Sequence, residues 1–196
     1  MTEPRKADHP VDPMFINRWS PRAFDGKPMP EADLLSMFEA ARWAPSAYNS
    51  QPWRFLYALR DTPSWEKFLG LLVPFNQSWA KEASALVILV SSSTMVPPGK
   101  DEAVPSHSHS LDAGAASSNF AHQANKLGYF MHGMVGFDID RAFADLGVPS
   151  GYRVEAAYAV GKLGDKSKLP EALQAREFPS PRLPVSEIAF EGGFKA

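Results

Sequence analysis

Apolar side chains recur along the chain with two different spacings, and these spacings predict helices and strands in alternation. Recurrence every three or four residues is the pattern of an amphipathic helix. The helices predicted in this way are 31–44, 63–73, 110–128 and 140–147. Short runs rich in apolar residues predict the strands 54–60, 85–93 and 153–164. The interleaving of the two element types predicts a layered α/β or α+β domain.

Three of these segments carry further information about burial and packing. The run ALVILVSSS (85–93) is apolar at successive positions and predicts a strand covered on both faces, whereas 153–164 alternates and predicts a half-buried strand. Residues 113–118 in the long helix are nearly all small, and a helical glycine costs about 1 kcal/mol relative to alanine. Close packing would offset that cost. The neighbour is another element of this chain, or a second subunit or flat ligand, and the two explanations are compatible with each other.

Length and composition indicate a single domain over residues 1–196. The prolines are unevenly placed and predict a loose N-terminal arm at 1–13, a mobile loop at 95–109 and an extended C-terminal tail. The chain has no cysteine, which excludes disulfides, thiolate nucleophiles and iron–sulfur clusters.

The net charge and the absence of several motifs disfavour particular classes of function. The net charge of -2 and the lack of a long apolar run predict a cytoplasmic protein without nucleic-acid or membrane partners. Neither a phosphate-loop motif nor a dinucleotide glycine motif occurs, which disfavours a permanently bound NAD. His107 and His109 lack a partnering set of ligands, so we expect a solvated loop there and no metal site. Ser46 lacks the glycine context of a hydrolase nucleophile.

Two short segments carry candidate binding chemistry. Arg18, Ser20 and Arg22 alternate, so in an extended segment their side chains point the same way and suit a phosphate. The alternative is two solvated surface arginines. The stretch APSAYNSQPW (44–53) ends a predicted helix in rings, hydroxyls and amides rather than in glycine and lysine. That ending requires a functional explanation.

Together these segments resemble a known family. Residues 17–55 are similar to the N-terminal signature of the nitroreductase family, an R-x-S-x-R/K segment, a helix and then A-P-S-x-x-N-x-Q-P-W-x-F. Segments 75–90, 125–138 and 180–190 resemble the family's asparagine-led segment, glycine loop and C-terminal arginine segment. The resemblance implies an α+β fold of three α/β/α layers. Its central, mostly antiparallel sheet would be flanked by helices and followed by an extended C-terminal tail.

The resemblance also implies a cofactor and a reaction. FMN would be bound, and NAD(P)H would be a visiting co-substrate that gives hydride to flavin N5. A nitroaromatic, quinone or related small acceptor would then use the same pocket, so no catalytic side chain is implied. Two alternatives remain open. One is another flavin reaction on this fold, such as that of an ene-reductase, a dehalogenase or a flavin-consuming enzyme, and the other is FMN binding without turnover.

The resemblance assigns cofactor-binding residues position by position. The segments that it places at the phosphate contribute Arg18, Trp19, Ser20, Arg22 and Arg182. The residues that it places at the flavin ring and ribityl chain are Pro45, Ser46, Asn49, Gln51, Asn76, Met134, Val135 and Gly136. In the family the 45–51 turn reaches the cofactor of the neighbouring subunit, which implies a homodimer with FMN at the interface.

Two positions depart from the family pattern. Three residues after the matching asparagine, several members carry a lysine that stabilises negative charge on the reduced flavin. In this chain that position is Trp79, and Lys81 lies two residues further on. If no other cation takes the place of the lysine, we expect a lower flavin potential. The second departure is Ser180, where many members have a lysine near the phosphate.

Overall fold

A computed structural model describes residues 5–195 of the chain. Its strands are β1 Trp53–Leu59, β2 Ala85–Ser92, β3 Thr94–Met95, β4 Val104–Pro105, β5 Phe130–Met134 and β6 Tyr152–Gly161. Its α-helices are α1 Pro13–Asn17, α2 Glu31–Arg42, α3 Trp65–Leu71, α4 Pro74–Ala80, α5 His109–Lys126, α6 Ile139–Asp145 and α7 Glu171–Gln174. Short 3-10 turns lie at Ala47–Asn49, Lys166–Lys168 and Val185–Glu187.

Four strands form an antiparallel sheet in the order β1-β2-β6-β5. Alternate side chains of a strand face opposite sides of the sheet, and β2 shows this directly. Leu86, Ile88 and Val90 pack with residues of α3, α4 and α6 in one core cluster. Val87 and Leu89 pack with residues of α2 and α5 in another. Helices therefore cover both faces of the sheet, and the predicted three-layer α+β fold is confirmed.

Every helix and strand predicted from spacing is present, with ends that differ by at most a few residues. The buried strand at 85–93 is confirmed, since β2 is buried at seven of its eight positions. The prediction of a half-buried strand at 153–164 was correct only for the first part of β6. From Ala157 to Gly161 every residue is buried, because β6 lies between β2 and β5 in the covered centre of the sheet.

The small residues of α5 have two different environments. Ala113, Ala116 and Ala124 are fully buried in the cluster shared with α2, so close packing within the chain explains them. Gly114 and Ser118 are exposed on the opposite face, and a Cβ added at Gly114 would meet nothing within 4 Å. The subunit itself therefore gives no packing reason for glycine at this position.

The arm, the loop and the tail each carry some local order. Residues 1–4 of the predicted arm lie outside the described residues, and α1 begins at its last position. The predicted loop at 95–109 is closed at its base by pairing of β3 with β4. The tail contains no strand in the described chain, and it exposes Leu183, Ile188 and Phe194. No helix within residues 5–195 has the length and apolar character needed to span a membrane.

Candidate functional site

Three arginines from separate segments, Arg5, Arg18 and Arg182, line one groove of about 1090 Å³. Arg18 follows α1 and donates from Nη1 to Ser20 Oγ over 3.4 Å. Arg182 lies in the tail, and Arg5 lies in the N-terminal arm. Burial, and then the charge of Arg182, lower the pKa of Arg18. Like charges repel, so this arrangement is one that a bound anion would stabilise.

Arg22 has a different set of neighbours. Its backbone N–H and that of Ala23 donate to Glu177 Oε1 over 2.7 and 2.8 Å, and its guanidinium lies 5.9 Å from the centre of the Trp79 ring. Burial and the charge of Arg176 lower the pKa of Arg22, while Glu177 acts against them. The contacts of the fold thus bring Arg18 near Arg182 and leave Arg22 beside Trp79.

Trp79 is a core residue with an unusual polar edge. It is 1% exposed and packs against Phe24 and His132, with the His132 ring centre 4.7 Å away. Its Nε1–H is buried without a hydrogen-bond partner among residues 5–195, and the same is true of Arg22 Nε. Buried donors are normally paired, so two unpaired donors on neighbouring side chains indicate a place for an acceptor that the described residues do not supply. Trp19 stacks edge-on against Phe130 at the start of β5.

His132 stays neutral at this position. Burial lowers its pKa to about 4, although the Pro21 carbonyl, 2.9 Å from Nδ1, acts in the opposite direction. A carbonyl oxygen can only accept, so the proton of the neutral ring is on Nδ1. His132 is thus a neutral histidine packed against the Trp79 ring.

The turn after α2 has a strained backbone. Tyr48, Asn49 and Gln51 all have positive φ angles, of 51°, 55° and 48°. Such conformations cost about 1–3 kcal/mol each for residues other than glycine and are concentrated at functional sites. Ser46 Oγ accepts from the Gln51 backbone N–H over 3.0 Å, and Gln51 Nε2 donates to the Asn49 carbonyl over 3.1 Å. Among the predicted site residues of the turn, Ser46, Asn49 and Gln51 therefore hold one another, next to Pro45.

A buried carboxylate fixes this turn to the start of α5. Asp112 is 7% exposed and accepts from the Ala47 backbone N–H over 3.2 Å and from Ser108 Oγ over 3.0 Å. Asp112 lies in the first turn of α5, where the helix dipole favours negative charge. Asp112 was not predicted as a site residue, because the feature that identifies it is a contact between positions 65 residues apart.

The loop between β5 and α6 is held by Asn76. Asn76 Nδ2 and the Val73 backbone N–H both donate to the Gly136 carbonyl, over 2.9 and 3.1 Å. Met134 is buried, whereas Val135 is 85% exposed. The structure thus brings three of the predicted ring-contact residues, Asn76, Val135 and Gly136, to one place.

A second polar cluster was not predicted. Ser91 Oγ lies 2.7 Å from His109 Nδ1 and donates to Glu155 Oε1 over 2.5 Å, and Ser110 Oγ also donates to that oxygen. The prediction of a solvated loop was wrong for His109. It begins α5, and its side chain is only 15% exposed because it packs against β2 and β6. Ser91 itself is fully buried, so it is not a candidate nucleophile. The cluster instead joins α5 to β2 and β6.

Comparison with known proteins agrees with this fold and these segments. A model of the nitroreductase family matches residues 16–70. A solved structure described as an oxidoreductase containing FMN is 50% identical, with a TM-score of 0.94 over 100% of this chain and 99% of that chain. An NADH dehydrogenase of Thermus thermophilus is 29% identical over 200 residues, covering 88% of this chain and 91% of that protein. An uncharacterized 15.4 kDa protein of Mycolicibacterium smegmatis is 38% identical over 124 residues, covering 63% and 79%.

The fold and these relatives define an α+β oxidoreductase. The chain belongs to the nitroreductase family of oxidoreductases.

Proposed function

We propose that the chain binds FMN and transfers hydride from NAD(P)H through the flavin to a nitroaromatic, a quinone or a related small acceptor. The observation that carries this proposal is the convergence of Arg18 and Arg182 in one groove, with Ser20 Oγ accepting from Arg18 Nη1. Among residues 5–195 neither arginine has a carboxylate partner within ion-pair distance. A phosphate would relieve their mutual repulsion and accept from both guanidiniums.

The remaining residues suit the other parts of FMN. The ring system is flat, apolar on its faces and rich in acceptors at its edge. The 45–51 turn offers Pro45 and the hydroxyl and amides of Ser46, Asn49 and Gln51 toward such a surface. The unpaired donors Arg22 Nε and Trp79 Nε1 would suit the acceptors. The bound flavin would supply the two-electron chemistry, and the protein would supply binding and orientation.

The chain's own residues would then have positioning roles. Asn76 holds the Gly136 carbonyl, so the loop 134–136 is presented in one conformation. Exposed Val135 would give an apolar surface near the reacting face and exclude water from it. His132 keeps its proton on Nδ1, directed at the Pro21 carbonyl, and so stabilises the segment that carries Ser20.

We further propose that the working unit is a homodimer with two shared sites. No hydrogen bond in the described chain joins the turn 45–51 to the segment 18–22. Large apolar side chains are exposed at the turn (Trp43, 73%; Tyr48, 69%) and in the tail (Ile188, 64%). The exposed stripe on α5 at Leu111, Gly114 and Ser118 could approach a second copy closely. A symmetric pair would cover these surfaces and bring the two half-sites together.

An anaerobic titration tests the reaction. Purified protein reconstituted with FMN should lose the visible absorbance band of its oxidised flavin when NADH or NADPH is added. A nitroaromatic or quinone added next should restore that band. A flavin that stays oxidised with both nicotinamides would support binding without turnover and would overturn the proposed reaction.

A subunit-mixing experiment tests the shared site. One variant carries Arg18→Ala with Arg182→Ala, and the other carries Pro45→Trp with Ser46→Trp. If each site draws its arginines and its turn from different chains, a purified mixed dimer has one intact site and should recover about half of the wild-type activity. Mixed dimers without any activity would show that both segments serve one site within a chain.

A further inference from the structure

Arg5 in the N-terminal arm joins the two segments that carry the anion-binding arginines. Its Nη1 donates to the carbonyls of Ile16 and Arg18 over 2.8 and 2.7 Å. Its Nε donates to the Ser180 carbonyl over 2.8 Å. The first pair of bonds holds the segment of Arg18, and the third bond holds the segment of Arg182. Arg5 and Ser180 lie 175 residues apart in the sequence, so this one side chain connects the start of the chain, and with it the segment of Arg18, to the tail.

The remaining nitrogen of Arg5 has no partner among residues 5–195. Nη2 is buried and makes no hydrogen bond to any of these residues, whereas the other two nitrogens are fully used. Burial, followed by the charges of Arg182 and Arg18, lowers the pKa of Arg5. No carboxylate in the described chain lies within ion-pair distance of Arg5. The three carbonyls use three of the five N–H donors of the guanidinium, so the two N–H groups of Nη2 and the positive charge are left without an acceptor among residues 5–195.

We propose that Arg5 is a further phosphate-binding residue, which contributes its charge and its free Nη2 to the anion site of Arg18 and Arg182. This inference rests on the proposed FMN site. The ligand chemistry is a phosphate monoester dianion, which three guanidiniums balance better than two. The arm is therefore part of the cofactor site, and the Ser180 segment reaches that site by way of Arg5 rather than through a lysine side chain.

The test compares FMN with riboflavin, which has the same ring system but no phosphate. Affinities of the apoprotein for both are measured by quenching of flavin fluorescence. The variants are Arg5→Ala and Arg5→Lys, and the matched control is Lys6→Ala, which removes one positive charge from the adjacent, exposed position of the same arm. Losing one charge-assisted hydrogen bond to a phosphate should weaken FMN binding about ten- to hundredfold.

The expected result is specific to the phosphate. Arg5→Ala should bind FMN about ten- to hundredfold more weakly and riboflavin as well as the wild type does, Arg5→Lys should recover part of the loss, and Lys6→Ala should change neither affinity. Lysine keeps the charge of Arg5 but cannot reproduce its three hydrogen bonds to carbonyls, so an equal loss of FMN affinity in Arg5→Ala and Arg5→Lys would mean that Arg5 is only a clasp. Equal losses for FMN and riboflavin would mean a general disturbance of the site, and no loss would mean that Arg5 is outside it. Each of these results overturns the inference. If instead the wild type binds FMN no better than riboflavin, the proposed phosphate site of Arg18 and Arg182 fails as well.

Discussion

Replacing Gly136 by alanine would test the loop that is proposed to face the flavin. A methyl group built at this position lies 2.7 Å from Asn76 Nδ2 and 3.2 Å from Val73 Cγ2. The first distance is shorter than any ordinary contact between such atoms, so Asn76 has to move. Since Asn76 Nδ2 is also the donor to the Gly136 carbonyl, its movement breaks the hydrogen bond that fixes the loop.

The magnitude follows from these two effects. A net intramolecular hydrogen bond contributes about 0.5–1.5 kcal/mol. Inserting a methyl group into a packed site costs about 1–3 kcal/mol more. The free energy of unfolding should therefore fall by roughly 2–4 kcal/mol, which for a chain of this size lowers the melting temperature by roughly 4–16 °C. The Val73 backbone N–H still donates to the carbonyl, so we expect a displaced loop and not a collapsed one.

Thermal unfolding with and without saturating FMN measures the effect. In addition to its lower melting temperature, Gly136→Ala should gain less from FMN than the wild type does, because the loop is proposed to contact the ring. The control is Gly70→Ala in α3, where an added Cβ meets nothing within 4 Å, and this change should stabilise the helix by up to about 1 kcal/mol. If Gly136→Ala has the same melting temperature as the wild type and gains equally from FMN, the reasoning is refuted.

Three other substitutions give independent tests. Gly114→Ala should stabilise α5 by up to about 1 kcal/mol when the protein is dilute. In sedimentation experiments it should weaken the proposed dimer, and unchanged association would show that α5 is not part of the interface. His132 has a folded pKa of about 4 against an ordinary 6.5, so stability is full above pH 6.5 and falls as the pH drops toward about 4, by up to roughly 3 kcal/mol. His132→Asn should flatten that slope in urea titrations. Asp112→Ala leaves the Ala47 N–H unpaired and should lose about 1–3 kcal/mol of stability and also FMN affinity, whereas Asp112→Asn should recover part of both.

The parts of the fold that spacing predicted are those with long, regular patterns. The apolar run of β2 continues over several strand positions, and the helical period of α2 and α5 continues over at least two turns. The burial of these elements is therefore encoded locally. β5 was missed because FMHGM includes a glycine and a histidine, and it becomes a strand by pairing with β6. α4 was missed because it has only seven residues and includes a buried asparagine whose role is to bind the next loop.

In the candidate site, too, residues with a local sequence pattern could be predicted, whereas contacts between distant positions could not. Segments with a family pattern could be assigned position by position, and those assignments remain predictions about FMN. Contacts between distant positions could not be assigned, as the ties of His109 to Glu155 and of Arg5 to Ser180 show. Neither pair is visible in a single sequence, because each partner has an ordinary local context and acquires its role only when the sheet or the tail is in place.

The contact of Trp79 with Arg22 bears on the flavin potential that was predicted from position 79 alone. Considered alone, a tryptophan where related proteins have a lysine removes a positive charge, and a lower flavin potential was expected on the condition that no other cation replaces it. In the fold, the Arg22 guanidinium lies 5.9 Å from the centre of the Trp79 ring, and burial together with the charge of Arg176 lowers the Arg22 pKa. A positive charge therefore lies beside Trp79 on a side chain 57 positions earlier in the sequence, and an arginine remains charged even when its pKa is lowered. The lower potential stays a prediction, and Trp79→Lys tests it: a raised potential would show that the missing lysine matters, whereas an unchanged potential would show that a cation already present, such as Arg22, takes its place.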